Sequence, residues 1–253
     1  MAVLLRQPRT AARLVSAPAR ERRAVAAPTV LFLVAGGCWT LTVARMRGMD
    51  MGPGTDLGSL GWFVVVWTTM MAAMMLPSVA PMAVASARAA VFAVGYLLTW
   101  VAFGVLAYAL VEGVRSLDLG LLAWDHVGRY LAGGVILSAA LYELSAAKGR
   151  CLRHCRDAEL LRRRPGAVGA LLMGVEQGGY CVGCSGALMA ALFALGVMSI
   201  AWMLVIAALV TIEKLLPWRV IATGATAAVL AVLGAAVMAV PAHVPWLTIP
   251  MSM

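Results

Sequence analysis

The chain has 253 residues, 63% of them hydrophobic and 12% charged, which excludes an ordinary water-soluble domain. Its net charge of +9 follows the loops between apolar runs and forms no nucleic-acid-binding patch, so the expected partner is a lipid bilayer and nucleic acid is excluded. Five cysteines are too few and too unevenly spaced for the disulfide framework of a small secreted domain.

Residues 1–24 carry Arg6, Arg9, Arg13, Arg20, Arg22 and Arg23 against one acid, Glu21. They read as a disordered basic cytoplasmic tail ahead of an uncleaved first helix. Apolar runs near the 20 residues that span a bilayer follow at about 25–44, 59–79, 90–111, 127–146, 167–194, 199–216 and 220–240. The expected fold is all-α. It is a polytopic membrane helix bundle of about seven transmembrane helices over 25–240, the fifth broken by a polar Gly/Cys stretch, with 241–253 as a short extracytoplasmic tail. In this scheme sixteen basic residues lie on one side and four, Arg45, Arg47, Arg115 and Arg129, on the other. That bias places the N-terminus in the cytoplasm and the C-terminus outside.

Sulfur recurs along the scheme. The loop after the first span, Met46-Arg-Gly-Met-Asp-Met51, holds Met46, Met49 and Met51. A solvated loop gains nothing from three thioethers, whereas soft thioethers select Cu(I) and resist the oxidation that claims thiols outside the cell. Span 2 carries Met70, Met71, Met74 and Met75 before Pro77. At 100° per residue Met71, Met74, Met75, Ser78 and Met82 share a face, with Met70 at its edge, and Pro77 is expected to kink the helix beside it. For any single Met the alternative is packing; the cluster suits a soft monovalent cation.

After span 4, Lys148-Gly-Arg-Cys-Leu-Arg-His-Cys155 presents Cys151, His154 and Cys155 on one helical face. These are three ligands for Zn(II) or Cu(I), with arginines around them; the alternative is a solvated loop lying on anionic lipid. Span 5 contains Gly174-Val-Glu-Gln-Gly-Gly-Tyr-Cys-Val-Gly-Cys-Ser-Gly186. Its Cys181 and Cys184 can ligate one metal or form a redox pair. Glu176 beside them would cost roughly 2.5–3.5 kcal/mol at bilayer depth, which marks a functional group. Glu143 and the pair Glu213-Lys214, near span ends, read as interface-level salt bridges, and Cys38 as packing.

These residues together resemble an uncharacterised bacterial family described as predicted metal-binding integral membrane proteins. The resemblance covers roughly residues 45–220. It rests on Trp67-x-x-Met-x-x-Ala-Met-Met-Leu-Pro77, Lys148-x-x-Cys151-x-x-x-Cys155, Gly174-x-x-x-Gly178-x-x-Cys181-x-Gly-Cys184, Leu188-Met189 and Glu213-Lys214. The family is similar in having a further Cys and an aromatic after the second thiol, where this chain has Ser185 and Gly186. That departure removes a thiol and questions a three-thiolate site within the helix. The resemblance implies metal binding and a bacterial inner-membrane location.

Laid along the bilayer normal, the loop methionines outside, the span 2 methionines at mid-depth and inward, Cys181 and Cys184 in the centre and Cys151, His154 and Cys155 inside describe a path of ligands for Cu(I). The leading expectation is a membrane protein that handles Cu(I), for uptake or for delivery to a cuproenzyme, with a soluble metallochaperone or the cuproenzyme as partner. Zinc at Cys151, His154 and Cys155 is the alternative metal. A membrane thiol–disulfide oxidoreductase and a non-catalytic assembly subunit are the alternative functions. No nucleotide-binding or hydrolase motif is present.

Overall fold

The computed structural model describes residues 9–46, 57–86, 88–116, 128–157, 164–196, 199–216, 218–241 and 244. The described residues form eight helices and no strand. They are α1 Arg9–Met46, α2 Leu60–Ala85, α3 Ala89–Ser116, α4 Arg129–Glu143, α5 Ala146–Arg156, α6 Gly166–Leu195, α7 Ile200–Leu215 and α8 Arg219–Ala239. Each of the seven expected apolar runs is helical, and α5 is an additional element. Five helices are long and apolar enough to cross a membrane, or six if the bent pair α4 and α5 is one span. Taken alone, α4 and α7, at 15 and 16 residues, fall short of the usual spanning length. Helix α1 begins at Arg9, upstream of its apolar run; most of 241–253 lies outside the described residues.

Helix α1 packs along α2, α3 along α6, and α4 along both α6 and α8, while α7 touches α2, α6 and α8. The middle of α2 is enclosed on all sides: every residue from Met70 to Leu76 is buried. Its methionines therefore line the interior without forming a single exposed face. The helix runs on through Pro77 and Pro81.

Helix α6 corrects one expectation. It is a single α-helix from Gly166 to Leu195, unbroken through the Gly/Cys stretch. In an apolar interior an opened turn would strand backbone groups without partners, so the helical ladder is retained. The glycines serve close approach instead. A Cβ on Gly174 would collide with the backbone of Phe92, one on Gly95 with that of Leu171, and one on Gly178 would lie 2.7 Å from Thr99. Small residues thus let α3 and α6 meet backbone to backbone, as small-residue stripes do between membrane helices. Thr99 Oγ1 adds a bond to the carbonyl of Val175 at 3.2 Å.

The bundle has two chemically different ends. One is aromatic: Phe63, Trp67, Tyr108 and Phe193 pack at ring separations of 5.1–6.3 Å, Phe63 stacked on Trp67 and the others tilted, and Trp67 Nε1 donates to the carbonyl of Trp100 at 2.8 Å. At the other end α2, α4 and α7 finish and α3 begins. Helix α5 packs into this second end. Chain direction turns by 68° after α4, and Ser145 starts α5 by accepting a bond from the Lys148 amide at 3.1 Å, a side-chain N-cap. Lys148, Leu152 and Cys155 face inward while Arg150 and Arg153 remain exposed, the three-to-four-residue alternation of an amphipathic helix.

Lys148 anchors α5. Its ammonium is fully buried, paired with Glu143 at the end of α4 and, at 2.7 Å, with Glu213 near the end of α7. Glu143 and Glu213 are buried too, so the interface-level salt bridges expected for them are instead one buried triad. Arg156 donates to the Glu213 carbonyl at 3.1 Å. Removing the cation would leave two buried carboxylates facing each other, and breaking such a pair costs about 3–5 kcal/mol. Lys148→Met is therefore expected to lower the unfolding midpoint in detergent strongly. Lys148→Met combined with Glu143→Gln and Glu213→Gln should recover most of the loss. Equal midpoints for the single variant and the wild type would refute the anchoring role.

Candidate metal centre

Three thiols converge where α5 meets α6. Cys155 of α5 and Cys181 and Cys184 of α6 lie with their sulfurs within 4.8 Å of one another, all buried. Among the described residues this is the one group of three or more His, Cys, Asp or Glu side chains close enough to share a metal ion. Cys155 and Cys184 sulfurs are 3.3 Å apart. A metal bonded to three thiolates at about 2.3 Å would hold the sulfurs roughly 4 Å from one another, so the cluster has the dimensions of a site.

Two motifs read separately in the sequence thus become one. The third thiol comes from α5, which supplies the sulfur that Ser185 withholds. Ser185 is buried against the site, its Oγ 3.3 Å from Cys184 Sγ. Gln177 Nε2 donates to the Cys155 carbonyl at 3.4 Å and so ties the end of α5 to α6.

The surroundings of Cys181 were not legible as site residues. Lys214 Nζ donates to Cys181 Sγ at 3.0 Å and to Ser78 Oγ of α2 at 3.1 Å, and Tyr96 Oη of α3 lies 3.0 Å from the same sulfur. All four groups are buried. An ammonium against a sulfur supplies the charge that a thiolate balances. The available signal was a lysine within an apolar helix, an ionisable residue that needs a partner.

The other expected ligands lie apart from the cluster. Glu176 pairs with Arg164 at 3.2 Å in a half-exposed contact. His154 stacks on Tyr180, ring centroids 4.1 Å apart, while Cys155 one residue on points into the bundle. A separate Cys151, His154 and Cys155 group is therefore not assembled. Cys151 is half-buried and rests against Gly183: a Cβ there would come within 2.6 Å of its sulfur. Met70, Met71, Met74 and Met75 are buried within α2. Met71, Met74 and Met75 share the face of Ser78, the residue that links α2 to Lys214. Met46 is buried at the end of α1, and Met49 and Met51 lie outside the described residues.

Set beside known families, residues 64–237 match the family model described as PpoB2, copper chaperone. The match includes all three clustered thiols, Lys214 and the α2 methionines. The chain belongs to the PpoB2 copper chaperone family. No curated protein and no solved structure matches it. Membership and the three-thiol cluster together point to copper-related metal binding.

Partners of ligating atoms tune metal affinity by about 10–100-fold. Lys214→Met is expected to weaken metal binding by that factor with stoichiometry unchanged, as read by competition against a chromogenic chelator. Unaltered affinity would remove Lys214 from the site.

Proposed function

We propose that the protein is an integral membrane carrier of Cu(I) that holds the ion in a three-sulfur pocket made by Cys155, Cys181 and Cys184. The observation that carries this reading is the convergence of three buried thiols from two helices in a member of a copper chaperone family. Thiolates are soft ligands that select Cu(I), and Cu(I) is served by fewer ligands than structural Zn(II), which takes four in a closed tetrahedral site. Among the described residues no fourth His, Cys, Asp or Glu joins the three. The buried methionines of α2 lead along the bundle to Ser78 and Lys214, and they supply weaker thioether ligands between its two ends. Delivery to a cuproenzyme or a soluble metallochaperone is the use that the family's description favours.

In the proposed orientation all seven apolar helices cross the inner membrane of a bacterium, α4 and α7 as short spans. The thiol end faces the cytoplasm. Arg88, Arg150, Arg153, Arg156 and Arg164 gather on that end, as basic residues do on the cytoplasmic side. Cys155 and its neighbours are thereby kept where thiols stay reduced.

Purified under reduction from copper-supplied cells, the wild type is expected to carry about one copper per chain, the capacity of a single thiolate site. Cys181→Ser with Cys184→Ser should carry almost none, and Cys155→Ser should bind more weakly. Elemental analysis decides it: unchanged copper in the double variant sinks the site, and a bound metal other than copper sinks the assignment of cargo. Orientation has its own check. In intact cells an impermeant maleimide should label Ser116→Cys and not Arg88→Cys, and the reverse pattern would invert the topology.

A further inference from the structure

A pocket whose three sulfurs are all buried holds a metal well but offers no sulfur to a donor or acceptor outside. Cys151 is placed to supply that outward contact. It stands one helical turn before Cys155 on α5, on the same face, and it alone of the α5 and α6 thiols is half-exposed. Its sulfur lies against Gly183, the residue immediately before Cys184 and inside the Cys181–Cys184 turn of α6. A Cβ at Gly183 would approach that sulfur to 2.6 Å, so glycine is what lets the thiol come so close. Tyr142 of α4 donates to the Gly183 carbonyl at 2.6 Å and holds this edge from the other side. Residues three and four apart on a helix have Cβ atoms about 5–6 Å apart, a short step for a metal passed between Cys151 and Cys155.

We propose that Cys151 is the exchange thiol of the site: the sulfur through which Cu(I) enters and leaves, bound in passage and not at rest. The inference rests on the three-sulfur reading above. On entry the Cys151 thiol gives up its proton to water and its sulfur bonds Cu(I), while a ligand of the donor leaves with its electron pair. Cys155 or Cys184 then gives up its thiol proton and bonds Cu(I) as thiolate, and the bond to Cys151 breaks with its electron pair staying on the Cys151 sulfur, which takes up that proton. The copper stays Cu(I) throughout, and no oxidant or reductant is required. Exit is the same sequence reversed, with the acceptor's thiolate arriving at the half-exposed edge.

The test measures exchange separately from capacity, using Cu(I) loaded on the full-length protein in detergent and bathocuproine disulfonate as the acceptor. Cys151→Ser is expected to keep the wild-type copper content and to release it at least about tenfold more slowly. Gly183→Ala, which pushes Cys151 off its seat, should slow release in the same direction. A measurement without substitution accompanies them. N-ethylmaleimide applied to the loaded wild type should modify Cys151 ahead of the three metal-protected thiols and trap the copper. Release at the wild-type rate from Cys151→Ser, or from the alkylated protein, overturns the proposal. So does a loss of copper from Cys151→Ser at equilibrium, which would make Cys151 an ordinary ligand. A wild type that binds no Cu(I) fails the three-sulfur reading itself and removes this one with it.

Discussion

Position of α5 depends on one buried cation. Lys148 lies between Glu143 of α4 and Glu213 of α7, and these three charges join the ends of two helices to the one that carries Cys155. A short helix of eleven residues with a polar outer face has little apolar area to hold it in place. Charges removed from water must find partners or cost several kcal/mol each, and the triad answers that demand in a single geometry. Its net value to stability is modest by this logic, because an apolar trio of similar shape packs at no desolvation cost. What the charged version provides is register: α5 docks where its ammonium meets two carboxylates, and Cys155 is then fixed, two turns further on, against Cys184.

The depth of the site follows from the same ends. Cys181 and Cys184 lie halfway along α6 by sequence, which suggests the middle of the bilayer. Their neighbours in space tell a different story. Lys214 is the penultimate residue of α7, Glu143 the last of α4, and Ser78 and Tyr96 are each about two turns from a helix end. Helix α6 is long because its first turns extend past that end, where Arg164 reaches back to Glu176. The thiols thus sit at the charged end of the bundle, beneath the short helix α5.

Helical runs were legible because hydropathy and length speak directly to them, whereas 148–155 read as a loop with Cys151, His154 and Cys155 on one face, and the inward face of α5 formed by Lys148, Leu152 and Cys155 was not read. The union of α5 with α6 was not, because nothing in either segment states that they meet; it depends on Glu143 and Glu213, residues 70 apart in number, both choosing Lys148. Glycines invite two readings, bend or close contact, and only the neighbours decide between them. At Gly174, Gly178 and Gly183 the neighbours are Phe92, Thr99 and Cys151, and contact wins. Glu176 misled because a carboxylate in an apolar run is informative about polarity and silent about direction; here it turns to Arg164.

Those contacts also explain why the chain tolerates so costly a stretch inside α6. Gly174 and Gly178 bring α3 close enough for Tyr96 to reach Cys181, and the missing Cβ at Gly183 makes room for Cys151 beside the second thiol. Each omitted methyl group weakens the helix, by up to about 1 kcal/mol relative to alanine, and forgoes apolar burial as well. The return is proximity: four sulfurs, a phenol and an ammonium are drawn around one turn by helices that would otherwise stand a side chain further apart. A stretch that looks like a defect in a long apolar helix is therefore the element that permits neighbouring helices to present chemistry to one another, while its own hydrogen-bond ladder remains intact.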